Sequence, residues 1–277
     1  MLFSSIVPKE YLERIDKTKK KMEQRNIDLL VVYSDSWRNA NCRYLSGIKP
    51  YVMPTRAYYD YAPMAVMTIP LDEDPTIYIP LAVWAKRDLA GTLREKPFIN
   101  VKNLSHVKEG IEKAAMKSKW IGFEGKDITP WQVYEDLTKA AGKQMEDVLI
   151  LEEMRKVKSD SEIKLMEIAS NINDRICEDL VNGIIRYGVT EKEVAREIES
   201  IGHSLGAEYV DAQYMIGRHI DFGHPTDTTP IDGDILSLHV ILAYEGYYSD
   251  NDRIFGFGKL TERERNLATL AKDAFYN

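Results

Sequence analysis

The apolar positions of the first segment recur at helical spacing. Tyr11, Ile15 and Met22 fall on one side of the charged stretch 8–26, which predicts an amphipathic helix. The apolar run 29–33 that follows is too short for anything but a strand. Strand-like runs recur at 65–69, 76–79, 98–101 and 120–123, and helix-like segments near 82–89, 107–116 and 131–141 separate them. About the first 150 residues therefore predict α/β layering.

The pattern changes from Lys158. Two long helical segments come first, 160–184 and 190–205, the second opened by the capping-box residues Thr190 and Glu193. Strands rich in Ile, Leu, Val and Tyr follow at 211–217, 234–242 and 247–257, with Glu245-Gly246 marking a turn between the last two. A further amphipathic helix is predicted at 261–276. The switch from alternation to a helix pair and hairpin places a boundary near 151–158, giving two domains, 1–152 and 153–277. Within the hairpin, Leu236, Leu238, Val240 and Leu242 alternate onto one face and leave Ser237, His239 and Ile241 on the other.

Composition narrows the classes. The 277 residues are 44% hydrophobic, enough for a real core and against a disordered tail. With 37 Lys+Arg against 44 Asp+Glu, the net charge of -7 argues against an electrostatic grip on nucleic acid or anionic lipid. Cys42 and Cys177 lie far apart without metal-type spacing, so neither a disulfide framework nor a zinc ribbon is indicated, and a reducing cytoplasm is expected. Too few apolar residues precede Lys9 and Glu10 for a secretory core. The apolar stretch 61–71 carries Pro63 and Pro70 and falls short of the roughly 20 residues a bilayer needs, so no membrane span is expected.

Two segments carry a resemblance. Asn41-Cys42-Arg43-Tyr44-Leu45-Ser46-Gly47-Ile48 is similar to the N-x-x-Y-L-[ST]-G-[FI] signature of the amino-terminal domain of creatinase, prolidase and aminopeptidase P. Arg155-Lys156-Val157-Lys158-Ser159, followed by Glu162-Ile163 and Ala169, resembles the stretch that opens the catalytic pita-bread domain of that family. Gly233-Asp234-Ile235-Leu236, then Gly246-Tyr247-Tyr248-Ser249-Asp250 and Arg253, continue the match in the right order. The resemblance implies an α/β creatinase-like N-terminal domain followed by an α+β pita-bread domain of which only the first half is present. It also implies C–N hydrolysis of a dipeptide-like or amidino/amide small molecule.

Several site roles come from that resemblance. A dinuclear hydrolase needs carboxylates that hold two divalent ions about 3.5–4 Å apart. In the family, two aspartates eleven residues apart on paired strands do so. The register puts the second on Asp250 and the first on His239, so His239 and Asp250 become the expected metal positions. An imidazole offers one nitrogen where a carboxylate offers two oxygens and a charge, so a pair of manganese, cobalt or zinc ions should be weakened, reduced to one, or lost. The remaining family ligands, a histidine and two glutamates, are expected beyond the point where the given sequence stops. Gly202-His203-Ser204-Leu205-Gly206 mimics a family ligand segment but precedes the hairpin and ends a helix, so it is set aside.

A metal-free creatinase and ectoine hydrolase branch uses a histidine as proton shuttle. Gly233-Asp234-Ile235-Leu236-Ser237-Leu238 resembles that branch, and Asp252 matches its substrate-holding glutamate with one carbon fewer. His224, before Pro225, fits the acid/base position, with His219 as second choice. An imidazole with a pKa near about 6.5 can protonate a leaving nitrogen at neutral pH. In family dimers the region of Tyr51, Tyr58, Tyr59 and Tyr61 around Arg56 reaches over the partner's active site. A homodimer and a substrate carboxylate held by Arg56 are therefore expected.

Plain structural readings stand beside these. His239 can be a half-buried strand histidine, His224 an exposed loop residue, and Asp250 and Asp252 turn-flanking or solvated acids, with Asp252 pairing Arg253 or a neighbouring strand. Two functions follow: a hydrolase of the Xaa-Pro dipeptidase/creatinase family, or a catalytically inactive truncated homologue serving as a binding or dimerisation module. A half-built sheet with an open edge motivates the second.

Overall fold

Seven consecutive residues, Leu29–Asp35 (β1), are buried or nearly so on both faces, as the inner strand of a sheet covered on two sides must be. In the computed structural model the described residues are 6–49, 64–80, 97–217 and 223–276. The chain divides into two units, residues 1–159 and 160–277. The expected helix at 82–89, Arg56 with its tyrosines, and His219 lie outside the described residues.

In the first unit, helix α1 (Pro8–Gln24) precedes β1, and α2 (Ala40–Ser46) follows it. Strands β2 (Met64–Pro70), β3 (Thr76–Ile79), β4 (Asn100–Asn103), β5 (Ile121–Glu124) and β6 (Glu146–Asp147) complete a sheet among the described residues, ordered β4-β3-β2-β1-β5-β6. One face packs Leu30, Val32, Met67 and Ile77 against Ile15 and Met22 of α1 and Cys42 and Leu45 of α2. The other packs Val31, Val66 and Tyr78 against α3 (Val107–Met116) and α4 (Trp131–Ala141) through Ile111 and Leu137. Each fully buried Leu or Ile contributes about 1.5–3 kcal/mol, so these two apolar layers outweigh any single cap or ion pair. Strand β4 begins two residues later than the apolar run at 98–101 predicts. Ile99 is buried just before it, and the pairing Thr76↔Asn100 sets where the ladder starts.

The first sequence signature is largely structural. Asn41 is buried and accepts from Arg155 Nη1 at 2.5 Å. Ser46 donates to the Cys42 carbonyl at 2.7 Å and accepts from Ile48 N at 3.0 Å. Gly47 ends α2 at φ 68°, a left-handed conformation that glycine adopts at little cost. Arg155 closes α5 (Ile150–Lys156), and Ser159 donates to Glu10 Oε1 at 2.7 Å, so both bond into the first unit.

The second unit opens with α6 (Asp160–Asp179). The helical stretch reaches residue 184 as predicted, but it widens over Leu180–Ile184, where Gly183 takes φ 153°. A side chain there would be strained, and no right-handed helix passes through that angle. Helix α7 (Glu191–Ser204) follows, with both bonds of the Thr190/Glu193 capping box in place. Strands β7 (Tyr209–Ile216), β8 (Ile235–Tyr244) and β9 (Tyr247–Gly256) form an antiparallel sheet in that order. Leu236, Leu238, Val240 and Leu242 cover Ile172 and Ile176 of α6 and Val194 and Ile198 of α7. In α8 (Glu262–Tyr276) no described residue is buried. The architecture is an α/β unit followed by a unit of two helices and a three-stranded antiparallel sheet, the order that the resemblance implies.

Candidate functional site

The site is built by the β8–β9 hairpin. Glu245 and Gly246 take φ 49° and 87°, the positive angles a two-residue turn needs to match strand twist. That turn fixes the register Tyr244↔Tyr247, and from it His239↔Asp252 and Ile241↔Asp250. Side chains alternate along a strand, so His239, Asp250 and Asp252 emerge on the face away from the helices. Gln213, opposite His239 on β7, shares that face.

On this face His239 Nε2 lies 2.8 Å from Asp250 Oδ1. An ionised carboxylate only accepts, so the imidazole donates its Nε2–H. The His239 side chain is 18% exposed against 64% for Asp250, a partly sheltered base with acids toward solvent. Nitrogen or oxygen atoms of His239, Asp250 and Asp252 all lie within 4.8 Å of one another. One imidazole nitrogen and two carboxylates suit a single divalent ion of the manganese, cobalt or zinc type. Two ions need more bridging oxygens than these three residues supply. Arg253 turns to the opposite face. It donates to the Asp252 carbonyl and to Asn251, and its Nη2 approaches Asp174 Oδ1 at 3.8 Å, so it does not hold the Asp252 carboxylate as an exposed partner would.

His224 lies outside this group. It is an exposed residue of the segment between β7 and β8. Two residues on, Thr226 donates from its N–H and hydroxyl to Glu191 Oε2, at 2.7 and 2.6 Å. His203, set aside from the sequence, accordingly sits in the last turn of α7 with Nδ1 2.9 Å from the Ala207 carbonyl oxygen. Gly202 beside it is explained by packing, since a Cβ would stand 2.7 Å from Val210 Cγ2.

Three residues support the hairpin and its loop, and among them only Glu162 stands in a sequence signature. Asn173, fully buried on α6, donates to the Val240 carbonyl at 3.2 Å and to Ser249 Oγ at 3.0 Å, gripping both strands from behind the site. Glu162 accepts from the Tyr247 hydroxyl at 3.0 Å. Glu191 is the third. The available signal was polar residues on an otherwise apolar helix stripe beside Leu165, Ala169 and Ile172.

Comparison with known proteins agrees with the order of the two units. The model of the Creatinase/Prolidase N-terminal domain matches residues 14–157, and that of metallopeptidase family M24 matches residues 164–277. An Xaa-Pro dipeptidase of Pyrococcus horikoshii is 23% identical over 274 residues, covering 95% of this chain and 69% of its own. An uncharacterised peptidase of Methanocaldococcus jannaschii is 33% identical over 108 residues, 38% of this chain and 31% of its own. Among solved structures, the prolidase of Pyrococcus horikoshii superposes with a TM-score of 0.74 at 24% identity, over 95% of this chain and 70% of that one. The X-Pro aminopeptidase of Thermotoga maritima gives 0.76 at 20% identity, over 94% and 70%. With a creatinase-type first domain over half its length and an M24 match over the site-bearing unit, this chain belongs to the creatinase/prolidase family of M24 metallopeptidases.

Proposed function

We propose that this protein is a C–N bond hydrolase of the Xaa-Pro dipeptidase type that uses a reduced, one-ion site on the β8–β9 hairpin. The single observation behind this reading is the convergence of Asp252 with His239 and Asp250, the two hairpin positions at which the resemblance implies metal ligands. A divalent ion held by these three would supply Lewis-acid polarisation of the scissile carbonyl. Asp250 and Asp252 would fix its position, and the partly sheltered imidazole of His239 would complete the donor set. His224 would donate a proton to the departing nitrogen, a task suited to an imidazole near neutral pH. The substrate is proposed to be a dipeptide, in line with the named activity of the Pyrococcus horikoshii relative.

A homodimer in the cytoplasm belongs to the same proposal. No described helix is long and apolar enough to cross a membrane, and Cys42 and Cys177 are both free. Light scattering at twice the chain mass is the expected outcome, and a monomer at micromolar concentration would remove the dimer.

A second reading, a catalytically inactive binding module, is favoured by His239 itself. Its imidazole already satisfies Asp250 by a hydrogen bond, which lessens the need for an ion. One assay separates the two. Proline release from an Xaa-Pro panel, and amine release from creatine-like substrates, would be followed after chelation and after adding manganese, cobalt or zinc. The hydrolase reading expects ion-dependent proline release that falls about 100-fold or more in His224→Ala. Silence under every condition leaves only the binding module, and ion-independent amine release abolished by the same substitution moves the assignment to the creatinase side.

A further inference from the structure

Glu191 sits in the first turn of α7, where an acid is ordinarily solvated and serves the helix dipole. Its neighbour Glu193 is exposed, but Glu191 is only 4% exposed. Withdrawing a carboxylate from water is costly unless strong hydrogen bonds replace the hydration. Three do so: Oε1 accepts from Ile216 N at 2.7 Å, and Oε2 accepts from Thr226 N at 2.7 Å and from Thr226 Oγ1 at 2.6 Å. The carboxylate's charge also adds to burial in pushing the nearby Tyr214 hydroxyl up.

The same turn grips the loop a second time. Glu191 N donates to the Thr228 carbonyl at 3.0 Å and Lys192 N to the Thr226 carbonyl at 3.1 Å. Lys192 Nζ meets Asp227 Oδ2 at 2.8 Å. Only Pro225 separates this clamp from His224. Its ring fixes its own φ and bars the preceding residue from the helical region, so few backbone torsions remain free between the clamp and the imidazole.

We infer that Glu191 is a positioning residue: its carboxylate, by clamping Thr226 to the end of β7, sets where the His224 imidazole stands. The inference rests on the reading of His224 as the proton donor. Glu191→Gln is the same shape, but its amide presents donors to one of the three donors it must bind, so at least one bond is lost whichever way it is turned.

The test uses the full chain and reads the histidine Cε1–Hε1 resonances by two-dimensional NMR, assigned through single His→Gln variants. Glu191→Gln and Thr226→Val are expected to move the His224 resonance while His106 and His203 stay in place. Glu193→Gln, which weakens the cap of the same turn without touching the loop, is expected to leave His224 where it was. An unmoved His224 in Glu191→Gln, or an equal movement in Glu193→Gln, overturns the inference. If Glu191→Gln does not fold, Thr226→Val decides in the same two directions, because its exposed side chain is not part of the core. In parallel, Xaa-Pro turnover by Glu191→Gln is expected to lose about 100-fold in kcat with KM within about threefold. A wild-type protein without turnover removes the hydrolase reading, and the NMR arm still decides whether Glu191 places His224.

Discussion

Asp252 stands directly across the strand pair from His239, yet the imidazole hydrogen-bonds to Asp250, the diagonal neighbour, at 2.8 Å. Diagonal partners on a sheet are separated by roughly 7–8 Å at the backbone, which an imidazole and a carboxylate together can span. Asp252 is thereby left beside the pair rather than inside it, and three donor groups meet where a simple cross-strand pair would bring two.

Replacing His239 by aspartate supplies the second carboxylate that the resemblance implies for this register. Manganese affinity, measured by titration calorimetry, is expected to rise about tenfold or more, because a carboxylate adds both charge and an oxygen donor for a hard cation. A weaker affinity in His239→Asp would mean that the imidazole is the better ligand in this geometry.

The grip of Asn173 on both hairpin strands is expected to matter for stability. Asn173→Ala leaves the Val240 carbonyl and the Ser249 hydroxyl without their buried donor. Unmet buried groups cost about 1–3 kcal/mol, and urea unfolding should show a loss of that size. A change below about 0.5 kcal/mol would place those groups in contact with water.

Glu124 gives a pH-dependent prediction in the first unit. Burial raises its pKa, against the N–H groups of Leu151, Glu152 and Ile150 and the charge of Arg155, which lower it. Oε1 accepts from Leu151 N and Glu152 N, while Oε2 is buried and has no partner among the described residues. A carboxyl with a raised folded pKa holds its proton more tightly folded than unfolded. Its stability contribution is full below the unfolded value of about 4.3 and is lost as pH rises through the folded one. Glu124→Gln keeps Oε1 and carries no charge. Its melting temperature should match wild type near pH 4 and exceed it increasingly toward pH 7. A constant difference across that range would contradict the account.

The hairpin turn carries a small, removable strain. Glu245 sits at φ 49°, where a side chain with a Cβ is disfavoured and asparagine is tolerated better. Glu245→Asn should stabilise the protein by about 0.5–1 kcal/mol without altering the site. Denaturant midpoints of the two proteins would check it, and a destabilised variant would refute it.

Much of the fold was readable because period and length agreed. The helices at 107–116 and 131–141 match their predicted bounds, since Ile111 with Ala115 and Leu137 with Ala141 recur at spacing four. The face of His239 followed from plain alternation along β8. What failed to show was context. The widening after α6 depended on one glycine angle at 183, and α2 is two turns, too short for a periodic stripe, that bury Cys42 and Leu45 and are tied down by Ser34, Ser46 and Asn41. Glu191 looked like any first-turn acid, because its partners at 216 and 226 lie far along the chain. The contact between Asn41 and Arg155 was likewise invisible, although both residues stood out in the two signatures.

The two-residue link at Glu245-Gly246 governs more than a bend. Were it lengthened by one residue with the pairing slid to match, every side chain of β9 would change sides. Asp250 and Asp252 would then be driven among the leucines, and Asn251 and Arg253 would take their places beside His239. A relative with an altered link at this point should therefore be expected to have different chemistry even if each acid is retained, and grafting this hairpin elsewhere requires copying its span before its letters.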